Sequence, residues 1–193
     1  RIGTEARRVS DLVEDLLDLR AIEEDSGVSS SVDLVTVASE VVDRVEPMAQ
    51  RLGVAVEADL PTSDLRVDGV RTQLVSLVRN LVENGVKYSD EGGLVQVHVS
   101  EANGRASVRV SDEGAGIPAD DHDRVFERFY RVDRARNRDT GGSGLGLSIV
   151  RNVVQGHGGT VDLESREGGG TTVTVRLPFG AGTPVVGTGE LAP

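Results

Sequence analysis

Asn80-Leu81-Val82-Glu83-Asn84-Gly85-Val86-Lys87-Tyr88-Ser89 is the stretch on which the reading of this chain turns. It closes a run, from about Val70, in which Val70, Leu74, Leu77, Val78, Leu81 and Val82 recur at three- and four-residue steps. That is the period of one buried helix face. Asn80 and Asn84 are four apart and Lys87 is three further on, so all three project from one side of the helix. An amide oxygen is a hard ligand suited to hydrated magnesium, an ammonium neutralises phosphate, and Tyr88 offers an aromatic face to a base. Alone, this face reads equally well as a solvated polar surface or as a bed for a metal-bound polyphosphate. The segments downstream favour the second.

The 193 residues suit one domain plus an appendage. A hydrophobic content of 37% supports a core, and aromatics at 3% make that core largely Val and Leu. The net charge of -11 argues against nucleic acid or an anionic membrane surface as the main partner. With no cysteine there is neither a disulfide nor a thiolate metal site. No signal peptide and no apolar run near the length of a membrane span is present. Arg1 falls mid-pattern, so the chain reads as an excised piece of something longer.

Residues 1–24 are expected to be helical, with Ile2, Val9 and Leu16, and Leu12 and Leu19, at heptad spacing. Such a bundle seam expects partner helices. Asp25-Ser26-Gly27 and the serines at 29–31 mark a break. A helix is expected from Val32 to about Leu52, bent or ended early by Pro47 and stopped by Gly53. Strands follow at Val54–Ala58 and Leu65–Val67, then the long helix ending at Lys87. Leu94–Ser100 and Ala106–Ser111 alternate around Asn103-Gly104, the strongest hairpin signal in the chain. A helix from Leu145 to Gln155 and strands at Thr160–Glu164 and Thr171–Leu177 complete the set, the last two separated by Gly168-Gly169-Gly170. This order predicts an α+β, two-layer sandwich: a mixed, mostly antiparallel sheet packed on one face by helices and preceded by a single bundle-type helix. The tail from Gly180 is expected to be disordered.

Two glycine clusters lie beyond the long helix. Asp112-Glu113-Gly114-Ala115-Gly116-Ile117-Pro118 ends a strand, with Asp112 placed to accept from an exocyclic amine or a water and the glycines permitting close ligand approach. By itself it is equally an Asp-containing turn. Gly141-Gly142-Ser143-Gly144-Leu145-Gly146-Leu147 presents backbone N–H groups at a positive helix end, where phosphates bind. A dinucleotide-fold reading fails because no strand precedes it and the G-x-G-x-x-G spacing is absent. Neither cluster has the form of a P-loop. Between them, Val125–Arg131 forms an aromatic anchor through Phe126, Phe129 and Tyr130. The charged loop to Thr140, with Arg134, Arg136 and Arg138, reads as a lid.

Together these segments resemble the catalytic ATP-binding domain of sensor histidine kinases, within the wider family of gyrase, mismatch-repair and heat-shock-chaperone ATPases. Four boxes match in order: Asn80–Ser89, Asp112–Pro118, Phe126–Arg131 and Gly142–Leu147. The resemblance implies ATP and Mg²⁺ as ligands, with Asn84 on the metal and Asn80 supporting the metal-phosphate network. It implies Lys87 on phosphate, Tyr88 on the base and Asp112 on the adenine amine, with Gly114, Gly116 and Ile117 shaping that pocket. Gly142, Gly144 and Gly146 would articulate the lid, Leu145 and Leu147 would wall the site, and Arg131 would reach the phosphates. Asn80, Lys87 and Arg131 would carry the catalytic role, and Phe126 and Phe129 would hold the lid base. Residues 1–24 resemble the second helix of the family's dimerisation and phosphotransfer hairpin, 25–31 a linker, and 32–179 the catalytic domain, with 180–193 the tail.

The expected activity is therefore transfer of the γ-phosphoryl of Mg-ATP to a histidine on a dimerisation helix. The resemblance implies relay from there to an aspartate on a response regulator. The parent is expected to be a homodimer and a membrane-anchored sensor with this part in the cytoplasm. Hydrolysing relatives carry a water-activating glutamate where Asn80 stands here, and Glu83 lies about 100° round the helix from Asn84. Transfer to protein is thus favoured over hydrolysis. His98, His122 and His157 lack the context of a phosphoacceptor and read as structural or solvated, so the chain alone is not expected to phosphorylate itself. The alternatives are a non-catalytic nucleotide-binding regulator and a water-using conformational ATPase.

Overall fold

The computed structural model describes residues 27–132 and 142–180, together with Val13, Leu16, Leu17 and Arg20. Those four are helical, with Val13, Leu16 and Leu17 exposed to solvent. The rest of the expected first helix, the lid arginines at 134, 136 and 138, Gly141 and the tail beyond Gly180 lie outside the described residues. Gly180 itself is buried and its N–H donates to Arg66 O at 2.9 Å, so it packs with the domain rather than with the expected tail.

Within residues 27–132 the first element is strand β1 (Ser30–Asp33), which the serine-rich composition had concealed, followed by helix α1 (Leu34–Leu52). Strand β2 (Ala55–Asp59), strand β3 (Arg66–Gly69) and helix α2 (Arg71–Tyr88) follow. Next come β4 (Leu94–Ala102), β5 (Arg105–Asp112), two short 3-10 turns at Ala119–Asp121 and Arg124–Phe126, α3 (Gly146–Gly156), β6 (Thr160–Ser165) and β7 (Thr171–Pro178). The main sheet has the order β2-β4-β5-β7-β6, with β2 parallel to β4 and every other pair antiparallel; β1 and β3 form a separate antiparallel pair. Asn103 and Gly104 both take positive φ, 55° and 70°, which is the twist a two-residue hairpin requires.

Alternation decides the layers. Val95, Val97 and Val99 of β4, Ala106, Val108 and Val110 of β5, and Val173, Val175 and Leu177 of β7 are buried in one cluster with the apolar faces of α1, α2 and α3. All three helices therefore cover one face of the sheet, as the two-layer expectation required. Pro47 neither ends nor interrupts α1. It stands on the exposed face, where the Asp43 carbonyl deprived of its partner can turn to water. Among the described residues, no helix is long and apolar enough to cross a membrane.

Asp33 ties β1 to α1. Its Oδ1 accepts from Val35 N–H at 3.1 Å and from Leu65 N–H at 3.0 Å, and its Oδ2 from Thr36 N–H at 3.1 Å and the Thr36 hydroxyl at 2.6 Å. Burial alone would raise this carboxyl, but the hydrogen bonds from Thr36, Leu65 and Val35 outweigh it and hold the group below the usual carboxylate range. A lowered acid contributes stability that is present above its unfolded pKa and lost as pH falls through the folded one. Asp33→Ala is expected to cost about 2 kcal/mol at neutral pH, read by urea unfolding, with the gap to wild type closing in acid. Equal unfolding midpoints at neutral pH would contradict the capping role.

Candidate functional site

The C-terminal half of α2 meets the N-terminus of α3. Asn80 is 7% exposed, and its Nδ2 donates to Ser76 O at 2.8 Å, so its carboxamide is tethered within its own helix. That leaves Oδ1 facing Gly146, the first residue of α3. A Cβ built on Gly146 would stand 2.9 Å from Asn80 Oδ1 and 3.3 Å from Asn84 Nδ2. Gly146 thus permits a close approach of α3 to α2, and Gly144 adopts a left-handed φ of 74°. Ser143 Oγ accepts from Leu145 N–H at 3.1 Å, and the first bond of the α3 ladder runs from Ile149 N–H to Leu145 O at 2.9 Å. The N–H groups of Gly146, Leu147 and Ser148 consequently have no partner inside the helix, the arrangement that receives anions at helix starts. Leu145 is fully buried in the core and Leu147 is packed against it, so Leu145 anchors this junction from within.

The Asp112 loop closes the other side. Asp112 Oδ1 accepts from Gly114 N–H at 2.9 Å and from Thr171 N–H at 3.2 Å. Burial pushes its carboxyl up, and these two hydrogen bonds only partly offset that. The loop is stitched to the β6–β7 turn: Gly168 N–H donates to Ala115 O at 2.7 Å, Gly170 N–H to Gly114 O at 3.0 Å, and Ile117 N–H to Ser165 Oγ at 2.8 Å. Ser165, Gly170 and Thr171 are site-building residues that the sequence reading missed, having taken Gly168–Gly170 only as a separator between strands. The signal was the tripled glycine. Gly170 has φ 79°, and a Cβ there would fall 2.0 Å from Asp112 O.

Tyr88 joins the boxes. Its carbonyl lies where a Cβ on Gly114 would approach to 2.1 Å, and its hydroxyl lies 3.4 Å from the corresponding position on Gly142. At the lid base, Phe129 N–H donates to Gly144 O at 2.9 Å. The expected aromatic anchor is corrected in part. Phe129 is 62% exposed with a left-handed φ of 64°, so its backbone and not its ring makes the clasp. Val125 is buried and Phe126 half-buried. The Tyr130 hydroxyl donates to Asp121 Oδ1 at 2.5 Å under the Arg124 guanidinium, 4.2 Å from the ring centroid. Arg131 is solvent-exposed, in the last described stretch before residue 133.

Lys87 Nζ sits 2.8 Å from Glu83 Oε2. Each histidine has a local partner: His98 faces Asp59, His122 faces Ile117 O, and His157 spans Val153 O and the N–H of Val70 at the start of α2. Among the described residues, no cluster of His, Cys, Asp or Glu could hold a metal by itself. The hard amide oxygens at Asn80 and Asn84 fit Mg²⁺, which commonly takes few protein ligands and completes its shell with substrate phosphates and water.

Residues 69–181 match the family described as histidine kinase-, DNA gyrase B-, and HSP90-like ATPase. The chain is 42% identical over 180 residues to the sensor-like histidine kinase SenX3 of Mycobacterium tuberculosis, covering 92% of this chain and 44% of that protein. It therefore spans less than half the length of that relative. The mycobacterial sensor histidine kinase MprB structure superposes with TM-score 0.66 at 31% identity, over 78% of this chain and 97% of that one. Full-length ShkA in complex with AMPPNP superposes with TM-score 0.71 at 27% identity, over 87% of this chain and 35% of that one.

Proposed function

Because this chain belongs to the histidine kinase-, DNA gyrase B- and HSP90-like ATPase family, we propose that it is the ATP-binding catalytic module of a sensor histidine kinase. In this reading it transfers the γ-phosphoryl of Mg-ATP to a histidine on a dimerisation helix outside residues 32–179. The observation that carries it is the junction at Gly146, where the carboxamides of Asn80 and Asn84 face a helix start. Asp112, held by backbone N–H groups, reads the adenine amine. Gly114, Gly116 and Ile117 shape the base pocket, and Tyr88 packs on the base. Lys87 and the α3 N-terminus neutralise phosphate, Gly142 and Gly144 articulate the lid, Leu147 walls the site, and Arg131 approaches from the lid side.

Asn84 would hold Mg²⁺ with Asn80 in support, and the bound ion would supply charge neutralisation to the phosphates. The chain's own residues contribute position and electrostatics. As the γ-phosphorus forms a bond to an imidazole nitrogen, its bond to the ADP oxygen breaks, and the phosphoryl group then passes to a response-regulator aspartate. Asn80 stands where hydrolysing relatives carry a water-activating glutamate, and Glu83 is engaged with Lys87, which supports transfer over hydrolysis. The parent protein is a membrane-anchored homodimer with this module in the cytoplasm, residues 1–24 forming the second hairpin helix and 25–31 the linker.

The test is transfer of labelled phosphate from ATP to a separately supplied acceptor hairpin, with phosphate release measured in parallel. Transfer without appreciable release is the expected result. Release without transfer would contradict it. Asn84→Ala is expected to reduce transfer by about 100-fold and to remove the magnesium dependence of nucleotide binding. Unchanged magnesium dependence would remove Asn84 from the metal.

A further inference from the structure

Glu83 is the only carboxylate on α2, and it stands fourth in a stripe at four-residue spacing: Arg71, Val75, Arg79, Glu83 and Lys87. Its ion pair with Lys87 is more enclosed than an ordinary surface pair, with side-chain exposures of 25% for Lys87 and 30% for Glu83. On its other side Glu83 lines a cavity of about 250 Å³ between α1 and α2, together with Arg44, Arg51 and Arg79. The carboxylate thus stands between Lys87 and a cavity whose lining mixes those three arginines with the apolar Val41, Val45, Met48 and Val75.

From this geometry we infer that Glu83 is a positioning residue that holds Lys87 while the site is empty and competes with phosphate for it. The inference rests on the nucleotide reading above. An ammonium left alone in a half-buried site would be poorly solvated, so a carboxylate partner is favourable there. When polyphosphate arrives, Lys87 exchanges one anion for another. Glu83 is not stranded by the exchange, because arginines line its other side. The carboxylate also opposes the polyphosphate directly, since like charges a few ångström apart in a medium less polar than water repel. Glu83 therefore sets an affinity ceiling that depends on how much negative charge the ligand carries.

Glu83→Gln keeps the size and helix propensity of the side chain while removing its charge. Affinities of the full chain for adenosine, ADP and the non-hydrolysable ATP analogue AMPPNP would be measured with wild type, Glu83→Gln, Lys87→Gln and the double variant. Glu83→Gln should tighten AMPPNP binding by about fivefold, ADP by less, and adenosine not at all. In the Lys87→Gln background the gain should shrink, because part of it comes from freeing the ammonium. A gain equal for all three ligands, no gain, or weaker AMPPNP binding would each overturn the inference. Glu83→Ala, which removes the side chain beyond Cβ, should reproduce the graded order, and a different order would likewise overturn it. Failure of the wild-type chain to bind any of the three would instead overturn the nucleotide reading, and this inference with it.

Discussion

Asp112→Asn is expected to abolish adenine nucleotide binding while leaving the empty domain at least as stable as wild type. The Oδ1 of Asp112 already accepts from Gly114 and Thr171 N–H, which leaves Oδ2 as the oxygen available to a ligand. In the variant, the carboxamide oxygen must take the place of Oδ1 to keep both backbone donors satisfied. Its NH₂ then stands where Oδ2 was, and a donor meets the donating exocyclic amine of adenine. Sites built to accept a hydrogen bond reject a mismatched partner strongly, so a loss of about 100-fold or more in affinity follows. Stability should move the other way. Burial raises the Asp112 carboxyl pKa, so its ionised form costs folding free energy above the unfolded pKa, and that cost is relieved as pH falls. A neutral side chain of the same shape removes the cost. A Tm equal to or above that of wild type at neutral pH, with binding lost, is the expected pair of results. Retained affinity would take Asp112 out of base recognition, and a lowered Tm would contradict the electrostatic argument.

Gly146→Ala is the second large effect. Its methyl group would meet Asn80 Oδ1 at 2.9 Å, closer than a carbon and an oxygen tolerate. Asn80 cannot swing aside, because it is buried and its Nδ2 is held by Ser76 O. The start of α3 must therefore move off α2, separating its N–H groups from the Asn80 and Asn84 carboxamides. Displacements near 1 Å in such a constellation cost about 100-fold in activity, and the overpacking itself costs about 1–3 kcal/mol of stability. Phosphoryl transfer and a urea melt would measure the two. Transfer within a few-fold of wild type would show that the junction does not set the site's geometry.

The fold could be read from periodicity because its core is simple. One face of each inner strand is Val, Ala or Leu, the helices repeat at three and four, and Asn103-Gly104 marks its own hairpin. What could not be read depended on contacts distant in sequence. Strand β1 is four residues of SSVD, polar at its start, and exists through pairing with β3. Pro47 is tolerated because of which side of α1 it faces, a matter of tertiary placement. At the candidate site, spacing singled out Asn80, Asn84 and Asp112, since each stands in a local pattern. Thr171 and Ser165 escaped notice because they act on a loop about 50 residues earlier through β7 and β6. The Glu83–Lys87 pair has ordinary helical spacing, and only its enclosure and the arginine-lined cavity beside it give it meaning.

In the proposed function, the end of α2, the Asp112 loop and the start of α3 enclose one magnesium-dependent adenine nucleotide site. Calorimetric titration of the chain with AMPPNP, with magnesium and then with chelator, tests it most directly. A saturable heat at one nucleotide per chain that weakens when magnesium is withdrawn is the result predicted. No saturable signal under either condition would contradict the claim.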